Sequence, residues 1–266
     1  MSDLVLIETE GGIATVTLNR PKALNALNQE LADEFVAALD DLERDSGVRV
    51  VVVRGAGGTF MAGGDVKGFH EVASEGDPGK LRDSFETLIS AVNRAILILD
   101  RMPQPVIASV EGAVAGFGLS LAAATDLVVA AEGTRFTLAY SRIATSPDGG
   151  ATYTLPRLVG PKKAAEIALL SDVFDAQEAL RLGLVSRVVA AASLEAETRK
   201  LAERLARGPA YAYARTKALL RGSLSNDLET QLQREKKSFI DCCTTVDFAE
   251  GIAAFVEKRK AEFRGE

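Results

Sequence analysis

The stretch VRVVVVRGAGGTFMAGGDVK, residues 48–67, joins an apolar β-branched run to a glycine-rich loop. The run at 48–55 predicts a buried strand, because valine-rich segments of this length are typical of strands covered on both faces. The glycines that follow permit unusual backbone dihedrals and leave N–H groups uncovered, so a ligand can approach the backbone closely. The loop is therefore either an ordinary glycine-rich turn or a ligand-binding loop.

A second glycine-bearing segment, EGAVAGFGLS at 111–120, has the same setting. It follows the strand predicted at 105–112 and runs into a helix predicted near 117–125. Free N–H groups at a helix start, with the helix dipole behind them, favour a developing negative charge. Gly112, Gly116 and Gly118 have the spacing G-x-x-x-G-x-G, which differs from the dinucleotide-binding fingerprint.

The rest of the chain alternates predicted strands with predicted helices. Further strands are expected at 4–8, 13–18, 126–133, 134–139 and 183–189, and helices at 28–42, 80–99, 193–207, 209–221 and 227–263. Asn28 is the expected N-cap of the first helix. The regions 57–78 and 146–152 are polar or glycine-bearing, and the segment 65–79 around His70 is expected to be a loop or a short helix. This alternation predicts crossover connections and a layered α/β architecture.

Composition narrows the class of protein. Among 266 residues, 31 Lys and Arg stand against 37 Asp and Glu, so the net charge is −6 and no overall basic field indicates nucleic-acid or membrane binding. The first dozen residues lack a secretory pattern, and Cys242 and Cys243 are adjacent and cannot form a disulfide framework, which predicts a cytoplasmic protein. His70 is the only histidine, so a multi-histidine metal site is excluded and an exposed bystander is expected.

Three further segments complete a recognisable pattern: LNRPKALNAL at 18–27, TSPDGGATYTLPRLVG at 145–160 and DFAEGIAAFVEKRKAEF at 247–263. With the two glycine segments, they resemble the crotonase superfamily, also called the enoyl-CoA hydratase/isomerase family. The resemblance implies an acyl-CoA enzyme with a spiral core of repeated ββα units over residues 1–195. It also implies a C-terminal helical trimerisation region over 196–266, and a homotrimer or a dimer of trimers.

The same resemblance implies a set of site residues. The backbone N–H groups of Gly64 and Phe117 would form an oxyanion hole for the thioester oxygen. Coenzyme A is part of the substrate rather than a separate cofactor. It would lie along Lys22, Ala23 and Leu24, with its adenine end near Ala62, Asp65 and Val66. Its phosphates would lie near Arg20, Lys22 and Lys67.

The residues at the acid and base positions distinguish between reactions. The hydratases of this family use two glutamates, and at the corresponding positions this chain has Ser120 and Tyr140, which are expected to line the acyl pocket. Asp148, in the Pro-Asp-Gly-Gly segment, resembles the single acid of the isomerases, although a turn residue is the alternative. Glu111, Asp126 and Glu132 lie at the ends of predicted strands and are expected to be structural.

Three functions therefore stand open. The first is a Δ3,Δ2-enoyl-CoA isomerase in which Asp148 moves one proton between carbons. The second is another crotonase hydratase, lyase or hydrolase that uses Asp148 with a bound water. The third, from another class, is an acyl-CoA-binding subunit without catalytic activity, since a fold alone does not determine function.

Overall fold

The computed structural model describes residues 3–265. Residues 1–2 of the predicted region 1–195 and residue 266 of the predicted region 196–266 therefore lie outside the described residues. The strands are β1 Val5–Glu10, β2 Ile13–Leu18, β3 Val50–Gly55, β4 Val106–Val110, β5 Ala113–Ala115, β6 Leu127–Ala131, β7 Arg135–Thr137, β8 Phe174–Asp175 and β9 Arg187–Val189. The helices are α1 Gln29–Arg44, α2 Val66–Ser74, α3 Pro78–Arg101, α4 Phe117–Ala124, α5 Ala151–Leu170, α6 Ala176–Arg181, α7 Leu194–Ala206, α8 Ala210–Ser223, α9 Leu228–Cys243 and α10 Val246–Glu257.

Two sheets organise the molecule. The larger has the strand order β1-β2-β3-β4-β6-β9, in which β1 and β2 pair as an antiparallel hairpin and every later neighbour is parallel. The smaller sheet has the order β5-β7-β8. Parallel neighbours require crossover connections, which the helices supply. The α/β architecture expected from the alternating pattern is confirmed.

Strand β3 divides the core into two layers because successive side chains point to opposite faces of a sheet. Val51 and Val53 contribute to the larger apolar cluster, which includes residues of α1 and α3. Val50 and Val52 lie on the opposite face and pack in a smaller cluster with residues of α7. All four valines are buried, which explains why this strand is an uninterrupted apolar run rather than an alternating one.

The sequence pattern carried no assignment for β5, β8 or the start of α5, and it left α2 open between a loop and a short helix. Helix α2 lies within the polar region 57–78, where Asp65 caps its start by accepting a hydrogen bond from the Gly68 N–H. Strand β5 is three residues long and exists because it pairs with β7. Helix α5 begins at Ala151, inside the stretch that carried no assignment, and is kinked at Gly160, where φ is 77°. These elements depend on capping and pairing partners that a local hydrophobic period does not report.

The C-terminal part is helical as expected, but the predicted helix at 227–263 is two helices. The chain turns at Thr244 and Thr245, and the Thr245 side chain caps α10 by accepting from the Phe248 N–H. The regional division at 195/196, which stays a prediction, falls within α7, a helix that packs on the large sheet. No helix in residues 3–265 has both the length and the apolarity needed to cross a bilayer.

A buried ion pair joins α8 to the sheet. The Lys217 side chain is 8% exposed, lies 2.8 Å from the Asp126 carboxylate and donates to the Gln104 carbonyl. Asp126 also accepts from the Val106 N–H and from Arg221. Burial lowers the pKa of Lys217, and the neighbouring Asp126 opposes that shift. Asp126 is thus structural, as its place at a strand end predicted.

Replacing Asp126 with alanine should therefore destabilise the fold strongly. The substitution leaves a buried ammonium and a backbone N–H without their acceptor, and removing one partner of such a pair costs about 3–5 kcal/mol. Urea denaturation followed by circular dichroism measures the loss. Asp41→Ala, at an exposed position on α1, is the matched control, for which a change within about 0.5 kcal/mol is expected. Equal stability of the two variants would contradict the assignment.

Candidate active site

The two glycine segments lie side by side through backbone hydrogen bonds. The N–H of Phe60 donates to the carbonyl of Glu111 at 2.8 Å, and the N–H of Met61 donates to the carbonyl of Ala113 at 3.0 Å. In return, the N–H of Ala115 donates to the carbonyl of Met61 at 2.9 Å. This short parallel pairing fixes the loop after β3 against the segment that leads into α4.

Glycine is required where the two segments meet. Gly116 has φ 52° and ψ −122°, a conformation that residues with a β-carbon rarely adopt. A β-carbon there would lie 3.3 Å from the Cα of Gly63, and one at Gly118 would lie 2.6 Å from the Met61 carbonyl oxygen. The glycines therefore permit a backbone approach that larger residues would prevent.

Two backbone N–H groups are left unused at this junction. Among residues 3–265, no acceptor binds the N–H of Gly64 or that of Phe117. Phe117 is the first residue of α4, where the helix dipole adds partial positive charge. Unused N–H groups at a helix start can bind an anion, so the two residues have the properties that the predicted oxyanion hole requires. Their catalytic role stays a prediction.

A cavity of about 690 Å³ opens beside these donors. Its walls are mainly apolar, and the rings of Phe69 and Phe85 pack with their centroids 4.8 Å apart between α2 and α3. Asp148 is the only carboxylate in the lining over the described residues. The lining comprises Leu27, Ala62, Gly63, Gly64, Val66, Phe69, Phe85, Leu88, Ile89, Val92, Asn93, Gly116, Phe117, Ala139, Tyr140, Arg142, Ile143, Thr145, Ser146, Pro147, Asp148, Gly149 and Gly150.

Asp148 is held at the start of α5 by its neighbours. The Tyr140 hydroxyl donates a hydrogen bond to Oδ1 of Asp148. The Ser120 hydroxyl donates to the main-chain carbonyl of Asp148 at 3.1 Å. A β-carbon on Gly149 would lie 2.7 Å from the Phe117 ring, so the segment carrying Asp148 packs directly on the residue that begins α4. The acid and the unused N–H groups therefore share one cavity.

The environment changes the ionisation of both partners. Burial raises the pKa of the Asp148 carboxyl, and the hydrogen bond from Tyr140 partly opposes that shift. Burial also raises the pKa of the Tyr140 phenol, and the nearby Asp148 carboxylate raises it further. Tyr140 thus remains a neutral donor. A carboxylate made more basic by burial is suited to accept a proton from carbon.

Ser120 and Tyr140 occupy different places around the cavity. Tyr140 belongs to its lining, whereas Ser120 is completely buried and lies behind Asp148. Both side chains donate hydrogen bonds to Asp148, Tyr140 to the carboxylate and Ser120 to the main-chain carbonyl. The sequence placed them at the expected glutamate positions and did not indicate that they contact the remaining acid.

The residues expected to bind coenzyme A lie on two adjoining segments. The N–H of Ala62 donates to the carbonyl of Leu24 at 3.0 Å. Lys22, Leu24, Val66 and Lys67 are exposed, and Ala23 is half-buried. The two segments are therefore adjacent, with Ala62 and Val66 in the cavity lining. The contacts with coenzyme A stay a prediction.

Arg20 and Asp65 form an ion pair between the same segments, with 2.9 Å between the guanidinium and the carboxylate. Burial raises the pKa of Asp65, but the hydrogen bond and charge of Arg20, together with the N–H groups of Gly68 and Lys67, outweigh burial and hold the pKa below its usual value. Arg20 also donates to the Ala26 carbonyl. Its charge is thus partly engaged within the protein, whereas Lys22 and Lys67 are exposed.

Two features of the site were missed in the sequence. Asn25 is fully buried, and its side-chain amide donates to the carbonyls of Ala56 and Thr59, so it fixes the loop after β3 against the 20–27 segment. A positive φ of 55° at Asn25, which asparagine tolerates well, is part of that turn. The cavity wall on α3 was also missed, although Phe85, Leu88 and Val92 recur at helical spacing on one face.

His70 is exposed on α2, and its exposure was expected from the sequence. No three His, Cys, Asp or Glu side chains between residues 3 and 265 cluster as metal ligands would.

Comparison with known proteins gives a consistent result over the whole chain. The family model described as enoyl-CoA hydratase/isomerase matches residues 8–266. A Rhodobacter capsulatus protein named "Probable enoyl-CoA hydratase" is 38% identical over 97% of this chain and 96% of its own. The 1,2-epoxyphenylacetyl-CoA isomerase of Escherichia coli is 34% identical over 100% of both chains. The crystal structure of an enoyl-CoA hydratase from Polaromonas sp. JS666 superposes with a TM-score of 0.91 at 35% identity and covers 98% of this chain and 99% of that one.

Proposed function

Because the chain belongs to the enoyl-CoA hydratase/isomerase family, we propose that it is a Δ3,Δ2-enoyl-CoA isomerase in which Asp148 carries one proton between two carbons. Membership of this family, predicted from the motifs, is confirmed. An acyl-CoA thioester, the predicted class of substrate, is consistent with that membership. Relatives bear the names of both hydratases and isomerases. The choice between the two reactions therefore depends on the site of this chain.

One observation supports the isomerase: Asp148 is the single carboxylate in the cavity lining of the described residues. Hydration in this family uses two glutamates, and Ser120 and Tyr140 stand at those positions. Neither side chain is a carboxylate, and both bind Asp148. A 1,3 proton shift needs only one base, because the base that removes the proton can return it.

The proposed reaction uses the two halves of the site in order. The thioester oxygen of a 3-enoyl-CoA accepts hydrogen bonds from the N–H groups of Gly64 and Phe117. The Asp148 carboxylate removes a proton from C2, and the C–H electron pair forms a dienolate whose negative charge lies on that oxygen. The same carboxyl group then returns the proton to C4. The double bond moves from C3–C4 to C2–C3, and no atom is gained or lost.

The substrate would lie with its acyl group in the cavity and its coenzyme A outside. The apolar side chains of α2 and α3 suit a hydrocarbon group of considerable size. Lys22 and Lys67, which are exposed on the two segments beside Ala62 and Val66, supply positive charge for phosphates in a protein whose net charge is −6. No separate cofactor is required by this reaction.

Self-association into a homotrimer or a dimer of trimers is part of the proposal. The C-terminal helices α8–α10 leave large apolar side chains exposed, more than a soluble monomer usually presents on one region. They are Leu220, Leu224, Leu228, Leu232, Phe239, Ile240, Val246, Ile252, Phe255 and Val256.

The direct test supplies the protein with a 3-enoyl-CoA and, separately, with a 2-enoyl-CoA. We expect conversion of the first to the 2-enoyl isomer, and hydration of the second at a much lower rate. Hydration at a comparable rate would favour a hydratase. Tight binding of acyl-CoA without isomerisation, hydration or exchange of the C2 proton in deuterated water would instead indicate a binding subunit without catalytic activity.

A further inference from the structure

We propose that Tyr140 is a positioning residue whose hydroxyl occupies one carboxylate oxygen of Asp148 and so leaves the other as the single atom that takes and returns the proton. This inference rests on the proposed isomerase function and extends it from the identity of the acid to the way that acid is held.

The geometry gives Asp148 two inequivalent oxygens. Oδ1 accepts the hydrogen bond from the Tyr140 hydroxyl, while no donor among residues 3–265 binds Oδ2. The Tyr140 side chain is 8% exposed and therefore has little freedom to leave. The Ser120 hydroxyl donates to the main-chain carbonyl of Asp148. The carboxylate is thus held at both its backbone and one oxygen.

The ionisable neighbours of Asp148 are few, so the effect of Tyr140 is not masked. Arg142 also belongs to the cavity lining, but its guanidinium donates to the Ser171 carbonyl at 2.6 Å. Helix α3 presents Phe85, Leu88, Ile89, Val92 and Asn93 to the cavity, and α4 presents Phe117, with Ser120 behind Asp148. Over the described residues, these elements place no further carboxylate or lysine in the lining.

Tyr140 is consequently the group that keeps Asp148 available as a base. Burial raises the pKa of Asp148, and the Tyr140 hydrogen bond acts against it. Without that bond, a larger share of Asp148 would be protonated at a given pH and unable to accept a proton from carbon. The free oxygen would also lose its fixed direction, because the hydrogen bond to Oδ1 restricts rotation of the carboxylate.

A fixed oxygen has a stereochemical consequence. The proton removed from C2 stays on Oδ2, on one face of the planar dienolate, and returns to C4 on that same face. Transfer is therefore suprafacial, and part of it is expected to occur without exchange with solvent.

Tyr140→Phe tests the inference by its dependence on pH. We expect kcat/KM for isomerisation to fall about tenfold on the acidic side of the profile, the size of effect given by losing one hydrogen bond to a charged group. The acid limb should move to higher pH, and the loss should be smaller at high pH, where Asp148 is ionised in both proteins. KM should change little. Tyr153→Phe removes an exposed hydroxyl and should leave the profile unchanged.

A measurement that needs no activity separates this inference from the proposed function. In protein labelled with ¹³C at aspartate carboxyl groups, the Asp148 resonance, assigned by its absence in Asp148→Asn, should titrate at higher pH in Tyr140→Phe. Replacement of tyrosine by a more acidic fluorotyrosine, which keeps the ring, should move the titration to lower pH. Unchanged midpoints in both proteins, or a loss of kcat/KM that is equal at all pH values, would overturn the inference. A shifted midpoint in a protein without isomerase activity would overturn the proposed function alone.

Discussion

Asp148→Asn is expected to lower kcat for the conversion of a 3-enoyl-CoA by about 10³-fold, within the range that general base catalysis contributes. Asparagine has nearly the same volume and can still accept the Tyr140 hydrogen bond, so the fold should be retained. Its amide cannot accept a proton from C2. Steady-state kinetics measure the loss, and calorimetry with an acyl-CoA should show binding close to that of the wild-type protein.

The matched control for this variant is Asp41→Asn, the same change at an exposed position on α1. It should have wild-type kinetics. If Asp148→Asn kept more than about a tenth of the wild-type kcat, the loss would be smaller than a base contributes, and Asp148 would be a turn residue, the alternative reading of the Pro-Asp-Gly sequence.

Gly116→Ala is expected to lower kcat by about 10²- to 10³-fold, equivalent to about 3 kcal/mol, as when one oxyanion-hole donor is lost. An alanine at φ 52° and ψ −122° is strained, and its β-carbon would lie 3.3 Å from the Cα of Gly63. Relief of both the strain and the contact requires the segments carrying Gly64 and Phe117 to move apart. Donors that are displaced no longer converge on one oxygen, so the enolate loses stabilisation while acyl-CoA binding is reduced less.

Gly133→Ala distinguishes this effect from backbone strain in general. Gly133 has φ 86°, lies in an exposed turn after β6 and would place its β-carbon in open space. Both variants should lose stability by about 1–3 kcal/mol, as measured by urea denaturation, but only Gly116→Ala should lose kcat. A similar kcat for the two variants would show that the close approach of Gly116 to Gly63 has no part in catalysis.

The two variants remove different halves of the chemistry. Asp148→Asn should abolish proton removal and leave the N–H groups of Gly64 and Phe117 in place to bind the thioester oxygen. Gly116→Ala should leave Asp148 as a functional base and weaken the hydrogen bonds to that oxygen. Exchange of the C2 proton of a bound acyl-CoA with deuterated water reports on enolate formation in both. Loss of that exchange in Asp148→Asn, with slower exchange in Gly116→Ala, is the expected pair of results.

Much of the fold could be predicted because it depends on local patterns. Strand β3 reads as a strand from its four consecutive valines, and α1 from Asn28 and the apolar positions that follow. The sequence around His70 left a loop and a short helix open, and the structure has helix α2, capped by Asp65, which is also paired with Arg20. Strand β5 is too short to carry a period and is a strand only because β7 lies beside it.

The sequence by itself determined the family of this protein, its two glycine segments and an acid at position 148. It also determined that Ser120 and Tyr140 stand at the positions where a hydratase has glutamates. These features are readable because glycine, proline and apolar periodicity constrain the chain over a few residues. Only the tertiary structure decided that Ser120 and Tyr140 both bind Asp148. Ser120 lies 28 residues from Asp148 and Tyr140 lies eight residues away, so their contacts with it depend on how α4 and the turn at 140–143 pack against the start of α5. Side-chain hydrogen bonds of this kind follow from packing, which no local pattern records.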